Sequence, residues 1–132
     1  MNNLIDSSAW IEYFKGNKYF SFIDDLINSN SVCINEMVLS ELLPSIIHKR
    51  EHKLAELMNS IEKYPLIIDW REIRDIQQLN LSHGNNNIGI SDIIIVQNCL
   101  QNDLQLVEND KHFSAMAKYI PLKISKHKNL HN

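Results

Sequence analysis

Very short apolar runs separated by helix-length segments constrain this chain more than any other feature. Leu4-Ile5, Val32-Cys33-Ile34 and residues 104–107 read as strands, with Pro121-Leu122-Lys123-Ile124 as a further one near the end. Between them, apolar residues recur every three to four positions, as one helix face requires. Such spacing predicts helices over about 8–15, 19–28, 36–48 and 54–63, one starting at Asp69, and one from about 89 to 101. Ser7 or Ser8 can cap the first of these and Asn35 the third, each offering an oxygen to a free amide. Pro44 should kink or thin the helix it interrupts. Leu66-Ile67-Ile68 is an apolar run too short to assign, and residues 82–87 form the clearest loop. The alternation predicts an α/β domain of three layers, α/β/α, around a short and mostly parallel sheet.

At 132 residues the chain is expected to form a single domain over residues 1–124 and a polar C-terminal tail over 125–132. A formal charge of -3 gives no global positive field, so a phosphate ligand needs a local basic patch or bound cations. The longest apolar run near the middle, Ile93-Ile94-Ile95-Val96, is far too short to span a bilayer. Met1-Asn2-Asn3 lacks the basic start of a signal peptide. Cys33 and Cys99 sit in apolar stretches without metal-ligand spacing and read as reduced core residues. No membrane association and a cytoplasmic location are the expectations.

Four acids do not fit a solvated surface. Asp6 ends the first buried strand, and the crevice of an open α/β sheet lies at that end of its strands. Glu41 is bracketed by Leu39, Leu42 and Leu43, where a lone carboxylate is costly unless paired or metal-bound. Asp92 sits in the first turn of an unusually apolar helix, and Asp110 follows the strand at 104–107. Each has a plain alternative as a helix cap or an edge residue. Together, a parallel sheet can bring all four to one edge. Converging carboxylates raise one another's pKa values, and divalent cations relieve that repulsion. All-oxygen ligands with no nearby His or Cys favour Mg²⁺ or Mn²⁺ over zinc. Such ions can activate water and stabilise the leaving oxygen of a phosphodiester.

Four motifs then carry a family resemblance over roughly residues 2–124: Leu4-Ile5-Asp6-Ser7-Ser8-Ala9-Trp10-Ile11, Val38-Leu39-Ser40-Glu41-Leu42-Leu43, Ile90-Ser91-Asp92-Ile93-Ile94-Ile95, and Leu106-Val107-Glu108-Asn109-Asp110-Lys111-His112-Phe113. In that order and spacing the chain resembles PIN-domain ribonucleases, most closely the VapC-type toxins of toxin–antitoxin modules. The resemblance implies Asp6, Glu41, Asp92 and Asp110 as catalytic metal ligands for Mg²⁺ or Mn²⁺. It implies Ser7 and Asn109 as supporting residues, with the Ser7 hydroxyl beside the first acid. Two departures stand out: Glu108 replaces the usual small hydroxyl residue, and Ile93 to Val96 replace a more alanine-rich sequence.

The implied activity is endonucleolytic hydrolysis of RNA, a transfer RNA among the candidates, leaving a 5′-phosphate and a 3′-hydroxyl. Lys111 and His112, beside Asp110, are the first candidates to hold the RNA backbone, ahead of Lys15, Lys49 and Arg50. The implied partners are a VapB-like antitoxin, docked on the second helix and the helix at 54–61, and a second copy of the chain. Two other classes compete. A phosphatase of the haloacid dehalogenase type wants an Asp at position 8, which is Ser. A non-catalytic RNA- or protein-binding module of the same fold has no use for the four acids.

Overall fold

The computed structural model describes residues 1–125. Its strands are β1 (Asn3–Ile5), β2 (Val32–Ile34), β3 (Glu62–Lys63), β4 (Gln105–Val107) and β5 (Lys123–Ile124). Its helices are α1 (Ser7–Phe14), α2 (Phe22–Asn28), α3 (Glu36–His48), α4 (His52–Ser60), α5 (Trp70–Ser82), α6 (Ile90–Asn102) and α7 (Lys111–Met116), with a 3-10 turn at Lys18–Phe20. The strands form one sheet in the order β3-β2-β1-β4-β5, and every neighbouring pair is parallel.

Parallel neighbours need crossover connections, and those connections are right-handed. The chain runs outward from β1 to β3 through α1–α4, which therefore cover one face. It returns through α5–α7 over the other face to β4 and β5. A sheet covered on both faces has no polar side. Leu4, Ile5, Cys33, Ile34, Leu106 and Val107 are all fully buried, which is why the strands read as continuous apolar runs. Around them pack Trp10, Phe20, Ile23, Met58, Ile95 and Phe113. The Trp10 ring stacks on Phe14 with centroids 5.6 Å apart and meets Tyr13 edge-on at 5.8 Å.

β1 and β4 are neighbours, and the chain leaves them in opposite directions. The sheet order reverses between them, so a crevice opens at their carboxyl ends. The Asp6 amide bonds the Val107 carbonyl at 2.9 Å and ties the two strand ends together.

The structure departs from the sequence expectations in several places. α4 stops at Ser60 instead of Lys63. Glu62 and Lys63 pair with Cys33 and Ile34 at the sheet edge, and the Tyr64 amide bonds the Ile34 carbonyl at 2.8 Å. Both residues are exposed, so no apolar pattern announces the strand; the open edge of β2 captures their backbone. Leu66-Ile67-Ile68 joins no strand. The segment is held by amide side chains of α6: Asn98 Nδ2 donates to the Pro65 carbonyl at 3.1 Å and Gln101 Nε2 to that of Ile67 at 2.8 Å. α1 begins one residue early, with Asp6 and not a serine at its cap position. α3 runs through Pro44, capped by Asn35 accepting the Val38 amide at 3.0 Å. Of the expected polar tail, residues 126–132 lie outside the described residues. No helix among the described residues is long and apolar enough to cross a membrane.

Candidate metal centre

Asp6 forms the floor of the crevice. It is 5% exposed, because β1 ends beneath α1 and beside β4. Burial pushes its carboxyl up from the ordinary value; the Ser8 hydroxyl and the Ser7 and Ser8 amides counter this, and the charge of Asp92 adds to the rise. Ser8 Oγ donates to Asp6 Oδ2 at 2.8 Å and accepts the Asn109 amide at 3.3 Å. One hydroxyl thus joins the loop after β1 to the loop after β4.

Asp92 comes from the first turn of α6, which begins after Gly89. Its carboxyl is also pushed up, first by desolvation and then by Asp110, while a bond to His112 pulls it back. Asp110 occupies the cap position of α7, where its Oδ1 accepts the His112 amide at 2.9 Å. This bond fixes the carboxylate and the imidazole to the same turn. His112 Nδ1 lies 3.4 Å from Asp92 Oδ2 and 3.4 Å from Asp110 Oδ1. One ligand atom from each of the three residues lies within 4.8 Å of the other two.

Glu41, on α3, stands at the rim and is exposed. Desolvation on its inner side raises its carboxyl, followed by the charge of Asp6; the Ser7 hydroxyl lowers it, and Asp92 adds a further rise. Asp6, Glu41 and Asp92 therefore act on one another, and Asp110 joins through Asp92. Glu108 is 2% exposed. Its Oε2 accepts the Asp110 amide at 3.2 Å, so it braces the turn that presents Asp110.

A profile of the PIN domain matches residues 4–119. The chain belongs to the PIN domain family. Solved structures agree with this at the level of the fold. FitAcB from Neisseria gonorrhoeae superposes with a TM-score of 0.73 at 21% identity, covering 97% of this chain and 99% of that one. VapBC2 from Rickettsia felis, bound to a DNA fragment from its promoter, gives 0.70 at 19% identity, covering 95% and 98%. DNA-bound VapBC from Salmonella typhimurium gives 0.70 at 18% identity, covering 97% and 99%. No curated protein matches the chain by sequence.

This PIN domain has a donor set that suits a divalent cation. Three carboxylates that raise one another's pKa values are destabilising unless neutralised, and hard oxygen atoms are ligands for Mg²⁺ or Mn²⁺. The expectation that no histidine lies nearby fails. His112 stands against both Asp92 and Asp110, with its Nδ1 3.4 Å from an oxygen of each. The hydroxyl bonded to Asp6 belongs to Ser8, while Ser7 acts on Glu41. Asn109 supports the site through its backbone amide, and its residue is exposed. Lys111 is exposed beside the pocket. Lys15 pairs with Glu12 at 3.5 Å. With Lys49 it lines a groove of about 320 Å³ between α1 and α3, which Ile11, Phe14, Ile46 and Glu41 complete. Arg50 lies in the left-handed turn after α3, at φ +58°. Ser8 is a supporting residue that pattern reading missed, and Glu108, singled out as a departure, supports the Asp110 turn. Their sequence signal is a polar residue two positions from each strand-end acid, Asp6 and Asp110.

Proposed function

We propose that the protein is a metal-dependent endoribonuclease of the VapC toxin type, held inactive by a VapB-like antitoxin. The observation that carries this reading is the gathering of Asp6, Glu41, Asp92 and Asp110 at the sheet's topological switch point, where Ser8 joins the two strand-end loops and Asp92 and Asp110 converge on His112. A bound Mg²⁺ or Mn²⁺ would stabilise charge on the scissile phosphate and lower the pKa of a water nucleophile.

The chain's own residues prepare that event. Asp92 and Asp110 face each other from two helix starts and would supply direct ligands. Asp6, bonded by Ser8 at the buried floor, and Glu41 would be further ligands, direct or through water. Glu41 closes the rim on the α3 side. Lys111 stands where it can hold the phosphate backbone of RNA approaching the crevice. Hydrolysis leaves a 5′-phosphate and a 3′-hydroxyl.

Two features support an antitoxin partner. The fold neighbours include FitAB and VapBC assemblies, and two surface grooves flank the helices. The groove of about 320 Å³ ends at Glu41. A second, of about 180 Å³, is lined by Ile27, Val32, Leu57 and Ile61 between α2 and α4, the pair of helices expected from the sequence. An antitoxin segment in the larger groove reaches the acids and excludes RNA. We take the working form to be a cytoplasmic homodimer and transfer RNA as the first substrate to try.

The test is incubation of purified protein with structured RNA and, separately, with DNA of matched length. Cleavage of RNA that requires Mg²⁺ or Mn²⁺ and stops with EDTA is expected. Cutting that persists in EDTA sinks the metal reading, and tight RNA binding without cutting supports a non-catalytic module instead.

A further inference from the structure

The strongest unexplained feature is the nitrogen atom in an otherwise all-carboxylate pocket. His112 Nδ1 is equidistant from Asp92 Oδ2 and Asp110 Oδ1, at 3.4 Å from each. Ligands held about 2.1 Å from one ion at right angles lie about 3 Å apart. The two separations from Nδ1 are within a few tenths of an ångström of that, and one ligand atom from each of the three residues lies within 4.8 Å of the others. The backbone that carries the ring is also fixed: Asp110 Oδ1 accepts the His112 amide at 2.9 Å, so His112 and the Asp110 carboxylate share one turn. Asp92 reaches the pair from a different element, α6. A phosphate-binding role, the first expectation for His112, requires a ring turned toward solvent. Its side chain is only 39% exposed, and its nitrogen faces the acids.

We propose that His112 Nδ1 is a direct metal ligand, completing a mixed site of two carboxylates and one imidazole with Asp92 and Asp110. The proposal rests on the metal reading above and sharpens it. Imidazole nitrogen binds first-row transition ions better than it binds Mg²⁺, and affinity then follows the order from Mn²⁺ up to Co²⁺ and beyond. The site is accordingly one for Mn²⁺ or a later first-row ion, with Mg²⁺ the weaker occupant. Ligation through Nδ1 leaves the ring proton on Nε2.

Mn²⁺ alone is the probe. Full-length protein is loaded with Mn²⁺ at pH 8, and electron spin-echo modulation reads any directly bound ¹⁴N. Titration calorimetry gives Mn²⁺ and Mg²⁺ affinities for the wild type, His112→Asn and Asp92→Asn, with circular dichroism as the folding control. The wild type should show ¹⁴N modulation that His112→Asn loses, with Mn²⁺ affinity falling at least about tenfold, the low end of the effect of losing even an outer partner. Mg²⁺ affinity should fall less. Bound Mn²⁺ without ¹⁴N modulation in the wild type overturns the ligand assignment and leaves the acid site standing. That measurement needs no variant to fold. Modulation that survives in folded His112→Asn overturns it equally. No Mn²⁺ binding by the wild type overturns both the assignment and the metal reading beneath it.

Discussion

α6 carries two polar regions with opposite energetic signs. In its middle, Gln97 and Asn98 are 2% and 1% exposed, and both are satisfied. Asn98 accepts from Asn35 Nδ2 at 3.0 Å and donates to the Pro65 carbonyl. Gln97 exchanges bonds with the Asp69 backbone at 3.1 and 3.2 Å and donates to Glu72 at 2.6 Å. Neutral amides carry both donors and acceptors, so they can bind the 65–69 segment and the α3 cap to the helix with no charge to neutralise. Nearer the N-terminus, Asp92 stands among other carboxylates, whose few donors, the His112 ring and amide and the Ser8 hydroxyl, leave their charges without a counter-charge of equal size. The first region fastens α3, α6 and the edge segment together; the second holds acids in positions they would leave if they were free to move. The amide network stabilises the fold, and the acid pocket draws on that stability.

Four measurements can break or sharpen this contrast. The largest effect is expected from Asp92→Asn, which should reduce metal-dependent RNA cleavage by about 10³-fold, or about 4 kcal/mol of lost transition-state stabilisation, with unchanged circular dichroism. Activity within a few fold of wild type would remove Asp92 from the site. Next, Asn98→Leu strands the Asn35 amide and the Pro65 carbonyl without partners and should cost about 3 kcal/mol in urea unfolding. A loss below about 1 kcal/mol would mean that water or a neighbour replaces both bonds.

The third measurement has the opposite sign. A carboxyl raised by burial holds its proton more tightly in the folded protein than in the unfolded one. Its stabilising contribution is complete below the ordinary values, 3.8 for Asp and 4.5 for Glu, and is lost as pH rises through the higher folded value. At neutral pH Asp6 therefore weakens the metal-free fold. Asp6→Asn, which keeps an acceptor for Ser8, should stabilise the metal-free protein by about 1 kcal/mol, raising Tm by roughly 3 °C at pH 7. The gain should vanish near pH 4, and saturating Mn²⁺ should reverse the order of the two proteins. A metal-free Asp6→Asn less stable than wild type at pH 7 would show that its hydrogen bonds outweigh its desolvation. The smallest effect belongs to Lys111→Ala: RNA affinity should weaken a few fold, and the slope of log affinity against log salt should shrink by about 0.7, the value of one phosphate contact on a single strand.

Much of this was legible in the sequence. The runs Leu4-Ile5 and Val32-Cys33-Ile34 lie within the strands observed and the run at 104–107 overlaps β4 from Gln105 onward, and the four acids fall at strand ends or early helix turns of a PIN domain. Less legible was β3, whose Glu62 and Lys63 carry no apolar pattern because only their backbone is used. Also hidden was the burial of Gln97 and Asn98 on α6. The approach of His112 to the acids was also hidden: adjacency to Asp110 in sequence says nothing about where the ring turns, and only the structure places its Nδ1 3.4 Å from both Asp92 and Asp110.

The sequence by itself determined the class of fold and the chemical type of the site. Apolar spacing dictates which segments must be buried, and carboxylates among apolar residues demand a counter-charge. The tertiary structure alone decided which polar groups meet. The hydroxyl of Ser8 and not that of Ser7 bonds Asp6, Glu108 braces the Asp110 turn, and the His112 Nδ1 lies against both acids. Each of these depends on distances between residues of separate elements or on the rotation of one turn, and neither is encoded in the local periodicity of the chain.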